Sequence, residues 1–144
     1  MISIKATKKT KTVLVDAGKH SKRLKKSTRL AMHEIGLIVG RENKRIITTG
    51  KRTGRVYSVA GRSHTASSPR EAPASITGRL HKSYEYRVSS WHTMVVGESA
   101  DYAKFLEDGT RNVRPRQHLI RAINNKSADA VRIFYTYGKR GLKI

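Results

Sequence analysis

The sequence YEYRVSSWHTMVVG, residues 84–97, contains the clearest strand pattern in the chain. In its first half the apolar side chains of Tyr84, Tyr86 and Val88 alternate with charged ones. Such alternation is typical of a strand with one buried face. The second half, residues 91–97, is a second apolar run behind a short polar segment. The two runs therefore predict an antiparallel hairpin.

Two long helical segments flank this hairpin. The first is predicted from about Asp16, which suits an N-cap, to about Thr48, because apolar residues recur there at near-helical spacing: Leu24, Ala31, Ile35, Ile38 and Ile46. Within it, Gly36 and Gly40 lie four residues apart and predict a close contact between helix and sheet. The second helix is predicted from about Arg116 to Tyr137, with an apolar face of Ile120, Ile123, Ala130, Val131 and Phe134.

Four further segments have simpler patterns. Residues 1–15 mix β-branched residues with lysines, which predicts an N-terminal strand or extended arm. Residues 50–75 are rich in Gly, Ser, Thr and Pro and predict a long flexible loop with one strand candidate, Arg55–Ala60. Ser99 or Asp101 is expected to cap a short helix that runs through Asp108, with Tyr102, Phe105 and Leu106 facing inward. Residues 138–144 are expected to form a mobile basic tail.

These elements predict an α+β fold, in which the long N-terminal helix and the C-terminal helix pack on a small antiparallel sheet. The length of 144 residues fits one domain, residues 1–144. No apolar run is long enough to span a membrane. The first residues lack the apolar core of a secretory signal, so we expect the chain to stay in the cytoplasm where it is made.

The charge balance is the strongest functional signal in the composition. The chain has 31 Lys and Arg against 10 Asp and Glu, a formal charge of +21. Residues 1–55 contain 16 basic and 3 acidic side chains, a net charge of +13, and residues 56–144 contain 15 and 7, a net charge of +8. A charge of this size predicts a partner with phosphate groups or an acidic surface. The residues expected to contact it are Lys19, Lys22, Arg23, Lys25, Lys26, Arg29, Lys51, Arg52 and Arg55.

Motifs for catalysis, metals or cofactors are not found in the sequence. There is no Cys, and His33-Glu34 is followed by Leu37 where a zinc protease needs its second His. No His pair has the i, i+4 spacing of a zinc site. Glu107 is expected to pair with Arg111, Arg114 or Arg116 and to stabilise a turn. We therefore expect no enzymatic activity, no metal and no cofactor.

Three islands of sequence, taken in order, resemble a known family. They are APASITGRLHKS (residues 72–83), DYAKFLEDGT (101–110) and RPRQHLIRA (114–122). In the tail-component family of long-tailed bacteriophages, variously called tail completion, neck or head–tail connection proteins, the corresponding patterns read PGEAPAxxTGRLxxS, YAxxLExGT and RPFLxxA. The resemblance covers about residues 15–138. Arg70 stands where Gly is common in that family, and His118 stands where Phe is common.

The resemblance assigns fold-defining roles to residues of these islands: Thr77, Gly78, Tyr102, Glu107, Gly109, Thr110, Arg114 and Pro115. Considered by themselves, Thr77-Gly78 permits a tight entry into the strand pair, and Gly109 supplies a left-handed helix end. Pro115 is expected to begin the last helix, since its fixed φ suits that position.

The resemblance implies a structural virion protein of the neck or tail top. It implies a homo-oligomer, a sixfold ring at the head-proximal end of the tail, that enables tail completion and head–tail joining. The implied neighbours are the tail terminator, the head completion or stopper protein and the tail tube, with genomic DNA in the lumen of the ring. The alternative is a basic protein that binds nucleic acid without sequence specificity.

Overall fold

The computed structural model describes residues 2–4 and 22–142. The start of the first helix at Asp16, the basic residue Lys19 and most of the predicted N-terminal arm lie outside these ranges. The elements in chain order are β1 (Ile2–Ile4), α1 (Lys22–Thr49), β2 (Val56–Val59), β3 (Arg62–Thr65), α2 (Arg79–Lys82), β4 (Tyr84–Ser90), β5 (Thr93–Glu98), α3 (Ala103–Asp108) and α4 (Leu119–Leu142).

The main sheet has three antiparallel strands in the order β1-β5-β4. The backbone of Ile2 pairs with Val96, and Val96 pairs on its other side with Tyr86. The predicted hairpin is confirmed, and so is a strand within the N-terminal segment at residues 2–4. The side chains of β4 alternate between half-buried and exposed positions, as its sequence pattern predicts. Helices and a small antiparallel sheet together make the predicted α+β fold.

Helix α1 packs on the sheet and on α4 through one continuous stripe. Its buried positions follow each other at steps of three or four residues, which keeps them on one face of an α-helix: Leu24, Thr28, Ala31, Ile35, Val39, Glu42 and Ile46. With Met94 and Val96 of the sheet and Phe134 of α4, apolar members of this stripe form the main core.

Gly36 and Gly40 bring α1 into close contact with β4, as their spacing predicts. A Cβ atom on Gly36 would lie 2.5 Å from Cδ2 of Tyr86, and one on Gly40 would lie 2.6 Å from Cε1 of Tyr84. The hydroxyl of Tyr84 donates a hydrogen bond of 2.7 Å to the carbonyl of Gly36. The aromatic rings therefore fill the space that side chains at the two glycines would occupy.

Helix α4 runs beyond the predicted boundary and includes most of the expected tail. It continues to Leu142, with Gly138 and Gly141 buried. A Cβ atom on Gly141 would lie 2.8 Å from Cδ1 of Leu24, so the last turn of α4 contacts the start of α1. The prediction of a mobile tail was wrong for residues 138–142. Val131 was also placed wrongly on the apolar face, because its side chain is 48% exposed.

The predicted loop at residues 50–75 contains a second, two-stranded sheet. The candidate strand forms β2, and it pairs with β3 in an antiparallel hairpin. Ala60 and Gly61 at its turn have φ values of 49° and 76°, and positive φ at both central residues is typical of a two-residue hairpin turn. The loop prediction was therefore wrong at the polar strand β3.

Three predictions about α3 and its surroundings were wrong. Tyr102 occupies the N-cap position without a side-chain hydrogen bond, so neither Ser99 nor Asp101 caps the helix. Leu106 faces inward as predicted and packs, partly buried, against Leu80 and Ala103. Tyr102 is exposed and Phe105 is 57% exposed, and the buried residues of α3 are Ala103 and Glu107. Pro115 does not begin α4, because that helix starts four residues later, at Leu119.

Candidate functional site

The three sequence islands meet at one place, which we call the island junction: Arg79, Asp101, Leu106, Glu107, Arg116 and His118. Arg79 Nη2 lies 3.2 Å from Asp101 Oδ2, which links the first island to the second. The backbone N–H of Arg116 donates to the carbonyl of Leu106 at 2.7 Å, which links the second to the third. The three islands, which are separated by 17 and 3 residues in the sequence, therefore contact one another.

Glu107 caps the N-terminus of α4 from a neighbouring helix. Its Oε1 accepts hydrogen bonds from the backbone N–H groups of His118, at 2.8 Å, and of Leu119. The first N–H groups of a helix have no partner within it, and the positive end of the helix dipole favours a carboxylate. The expected pairing of Glu107 with an arginine of the following loop was wrong: Arg116 instead donates from Nη1 to Ser67 Oγ.

The ring of His118 lies between two carboxylates. Its Nε2 is 2.7 Å from Glu98 Oε2, and its Nδ1 is 2.9 Å from Glu107 Oε1. Glu98 in turn accepts a hydrogen bond of 2.8 Å from Asn43 Nδ2 on α1. This buried network ties β5, α1, α3 and α4 together.

The charge state of this network follows from its geometry. Burial alone would lower the pKa of His118, but the hydrogen bonds with Glu107 and Glu98 outweigh it and raise this pKa to about 9. Burial would raise the pKa of Glu107, but the hydrogen bonds from His118 and the Leu119 N–H hold it below its usual value. At neutral pH the network therefore contains an imidazolium between carboxylates.

The two glycines of the islands both have positive φ values. Gly78 has φ 76°, and Ser75 Oγ accepts a hydrogen bond of 3.1 Å from its N–H. Gly109 has φ 77° and ψ −179°, and its N–H donates to the carbonyl of Phe105 to close α3. Positive φ of this kind favours glycine strongly. Gly78 is left-handed, but the ψ of Gly109 is extended, so the predicted left-handed end of this helix was wrong in ψ.

The other fold-defining residues have smaller roles. Thr77 Oγ1 accepts a hydrogen bond of 3.3 Å from the Arg79 N–H, and Thr110 Oγ1 accepts one of 3.1 Å from the Val113 N–H. Tyr102, Arg114 and Pro115 are exposed. The side chains of Tyr102 and Arg114 are therefore accessible to a partner.

The predicted basic residues divide into two groups. Lys22, Arg23, Lys25, Lys26 and Arg29 are exposed on the first turns of α1, within an arc of about 160° at roughly 100° per residue. The opposite side of these turns is buried at Leu24 and Thr28, and Leu24 contacts α4. Lys139 and Arg140 of the adjoining end of α4 are also exposed. We call these seven residues the basic end.

The second group follows the other end of α1, about 30 to 40 Å away at 1.5 Å per residue. Lys51 and Arg55 are exposed there. Arg52 instead points back to the helix, and its Nη2 donates to the carbonyl of Thr48 at 3.2 Å. Arg52 therefore provides a hydrogen-bond donor for a carbonyl at the C-terminus of α1.

An apolar groove of about 510 Å³ lies beside the island junction. Its walls are the β2–β3 hairpin, the first island and α3, and its lining includes Tyr57, Pro73, Ile76, Tyr102 and Leu106. Sequence reasoning missed this groove because it arises where a hairpin strand and two islands meet.

Two negative findings apply to the described ranges, 2–4 and 22–142. No group of three or more His, Asp or Glu side chains there has an arrangement that could hold a metal ion. No helix in the same part of the chain is long and apolar enough to cross a membrane. Comparisons with profiles of known protein families, with curated proteins and with solved structures find no match to this chain.

Proposed function

We propose that this chain is a structural, non-enzymatic protein of the bacteriophage virion, assembled in the host cytoplasm and located at the neck or tail top. In this role it forms a ring at the head-proximal end of the tail and enables tail completion and head–tail joining. The observation that carries the proposal is the island junction, in which all three family-like segments contact one another.

The junction supports the proposal because it gives the spacing of the islands a physical reason. Glu107 of the second island has the third island's N–H groups as its partners. Asp101 of the second island has Arg79 of the first. Motifs of one family fold are expected to contact one another in this way.

The surface supports assembly with other protein chains. The groove and the nearby Phe105 expose apolar side chains, and large exposed apolar patches mark interaction sites. Within the described ranges, the outer edge of β4 has no strand partner, and an open edge is a template for pairing with another chain. The mechanism we propose is docking: the groove binds an adjacent ring, and copies of the chain associate side by side.

Recruitment to tails tests this function. Purified protein is added to tails from a lysate that lacks it, with and without nuclease treatment, and tail-bound protein is quantified. We expect binding that resists nuclease and that falls at least tenfold in Tyr57→Ser, which removes a groove wall. Val56→Ser is the matched control, because Val56 is exposed on the same strand but does not line the groove. Absence of binding, or equal loss in both variants, would contradict the proposal.

The basic end supports a second candidate function, binding of nucleic acid without sequence specificity. Its seven cations face solvent at one end of the helix pair, and such surfaces bind phosphates with a steep salt dependence. Fluorescence anisotropy with a duplex DNA measures this directly. Tight binding that collapses with added salt, together with nuclease-sensitive recruitment to tails, would favour this second function over the first.

A further inference from the structure

An arginine-lined recess lies apart from both the apolar groove and the basic end. It has a volume of about 590 Å³ and is lined by Arg70, Arg114, Pro115, Gln117 and Arg121. Arg70 comes from the loop before the first island, Arg114 from the loop before α4, and Arg121 from the first turns of α4. Three arginines from three places in the chain therefore line one surface recess.

The recess has no carboxylate in its lining to neutralise these arginines. Glu71, the acidic residue next to Arg70, is bonded elsewhere: it accepts hydrogen bonds from Thr53 Oγ1 at 2.7 Å and from the Ser68 N–H at 2.8 Å. Glu107 is buried against His118. Within the described chain, the side chains of Arg70 and Arg114 form no hydrogen bond or ion pair, so both remain available to a ligand.

The backbone of Arg70 has a conformation that is unfavourable for residues other than glycine. Its φ is 72°, and a residue other than glycine loses stability in this left-handed region. Arg121 Nη2 donates to the carbonyl of Arg70 at 3.1 Å, which fixes the loop against α4. A strained residue that persists in an arginine-lined recess points to a binding role.

We propose that this recess binds a phosphate group, with Arg70, Arg114 and Arg121 as its ligands. Guanidinium groups match phosphate oxygens in bidentate geometry. Three positive charges exceed the single negative charge of a carboxylate, whereas a dianionic phosphate or two neighbouring phosphodiesters match them more closely. The site is independent of the proposed place in the virion, because it rests only on the residues of the recess.

Calorimetric titration of the full chain with inorganic phosphate, at constant ionic strength, tests the site. We expect saturable binding that weakens about tenfold or more in Arg114→Gln and in Arg121→Gln, the loss expected for a charge-assisted hydrogen bond. Arg62→Gln is the matched control, because Arg62 is an exposed residue of β3 outside the recess and its loss changes the charge equally. Should Arg121→Gln fail to fold, Arg114→Gln alone decides the outcome.

A second arm identifies the source of the phosphate. Duplex DNA is titrated over a range of salt concentrations. Each recess substitution should make the slope of the logarithm of the binding constant against the logarithm of the salt concentration shallower by the amount expected for about one phosphate contact. If the recess substitutions weaken binding of DNA, whether or not they also weaken binding of inorganic phosphate, the ligand is a nucleic-acid backbone. If they weaken binding of inorganic phosphate alone, the ligand is free phosphate. The proposal is overturned if the recess variants behave like Arg62→Gln, or if only a poly-glutamate peptide binds there.

Discussion

Glu107 contacts His118 twice: its Oε1 accepts the backbone N–H of His118 at 2.8 Å and lies 2.9 Å from the Nδ1 of the same residue. One carboxylate thus caps α4 and neutralises a buried imidazolium. The position of α4 relative to α3 is fixed by this pair, and the second island is joined to the third through it.

Replacing Glu107 with Gln should destabilise the fold. The amide keeps an oxygen for the cap but removes the charge that faces His118, and breaking a buried ion pair costs about 3 kcal/mol. Urea denaturation followed by circular dichroism measures the free energy of unfolding. Asp108→Asn is the control, because Asp108 is adjacent in sequence and exposed. Equal destabilisation by the two substitutions would contradict the assignment.

Stability should depend on pH through the same pair. The pKa of His118 is raised to about 9 from 6.5, so its contribution is complete below about pH 6.5 and is lost as the pH rises through 9. The pKa of Glu107 is lowered, so its contribution is complete above its unfolded value of 4.5 and is lost as the pH falls through the lowered pKa.

We therefore expect the highest stability between about pH 4.5 and 6.5, with an alkaline loss of at most about 3 kcal/mol from His118. Urea denaturation at a series of pH values checks this profile. The alkaline loss should disappear in His118→Phe, which is less stable overall because it leaves two carboxylates buried without a cation. His92→Phe, at an exposed position, should keep the loss. A profile that is flat from pH 6 to 10 would contradict the raised pKa.

Two helical glycines should respond in opposite directions to the same substitution. Gly36→Ala places a Cβ atom 2.5 Å from the ring of Tyr86, so we expect a loss of about 1–3 kcal/mol from overpacking. Gly138→Ala meets no atom within 4 Å and should gain up to about 1 kcal/mol from helix propensity. Thermal unfolding of both variants tests this. A gain in Gly36→Ala would contradict the close contact between α1 and β4.

Arg70→Gly should stabilise the protein by about 1 kcal/mol, because glycine tolerates the left-handed φ of 72° at this position. Arg70→Ala is the matched control, since it also removes the guanidinium group but keeps a Cβ atom. The measurement is the difference in unfolding free energy between the two variants. If alanine and glycine are equally stable here, the backbone of Arg70 is not strained.

The sequence predicted most of the main sheet and of α1, because long periodic patterns depend on burial of one face. Prediction failed where the segment is short or where its residues are mostly polar. Strand β3 is polar, and among the described residues it pairs with β2 alone. Helix α3 has six residues, too few to define a face, and it buries the charged Glu107 while leaving Phe105 exposed. Gly138 and Gly141 belong to the segment predicted as a mobile tail, yet they lie buried within α4, and Gly141 permits close packing on α1.

The candidate sites were predictable only in part. The cations of α1 were visible as a cluster in sequence, and the structure keeps five of them on one face. The pairing of His118 with Glu98 joins residues 20 apart without a motif. The recess and the groove also combine residues from separate loops, so their composition depends on the tertiary fold and not on any local pattern.

Electron microscopy of lysates from a phage that lacks this gene tests the proposed function most directly. We expect filled heads beside unattached tails, and restoration of joined particles when the wild-type chain is supplied from a plasmid. Normal, infectious particles in the absence of the gene would contradict a role in head–tail joining.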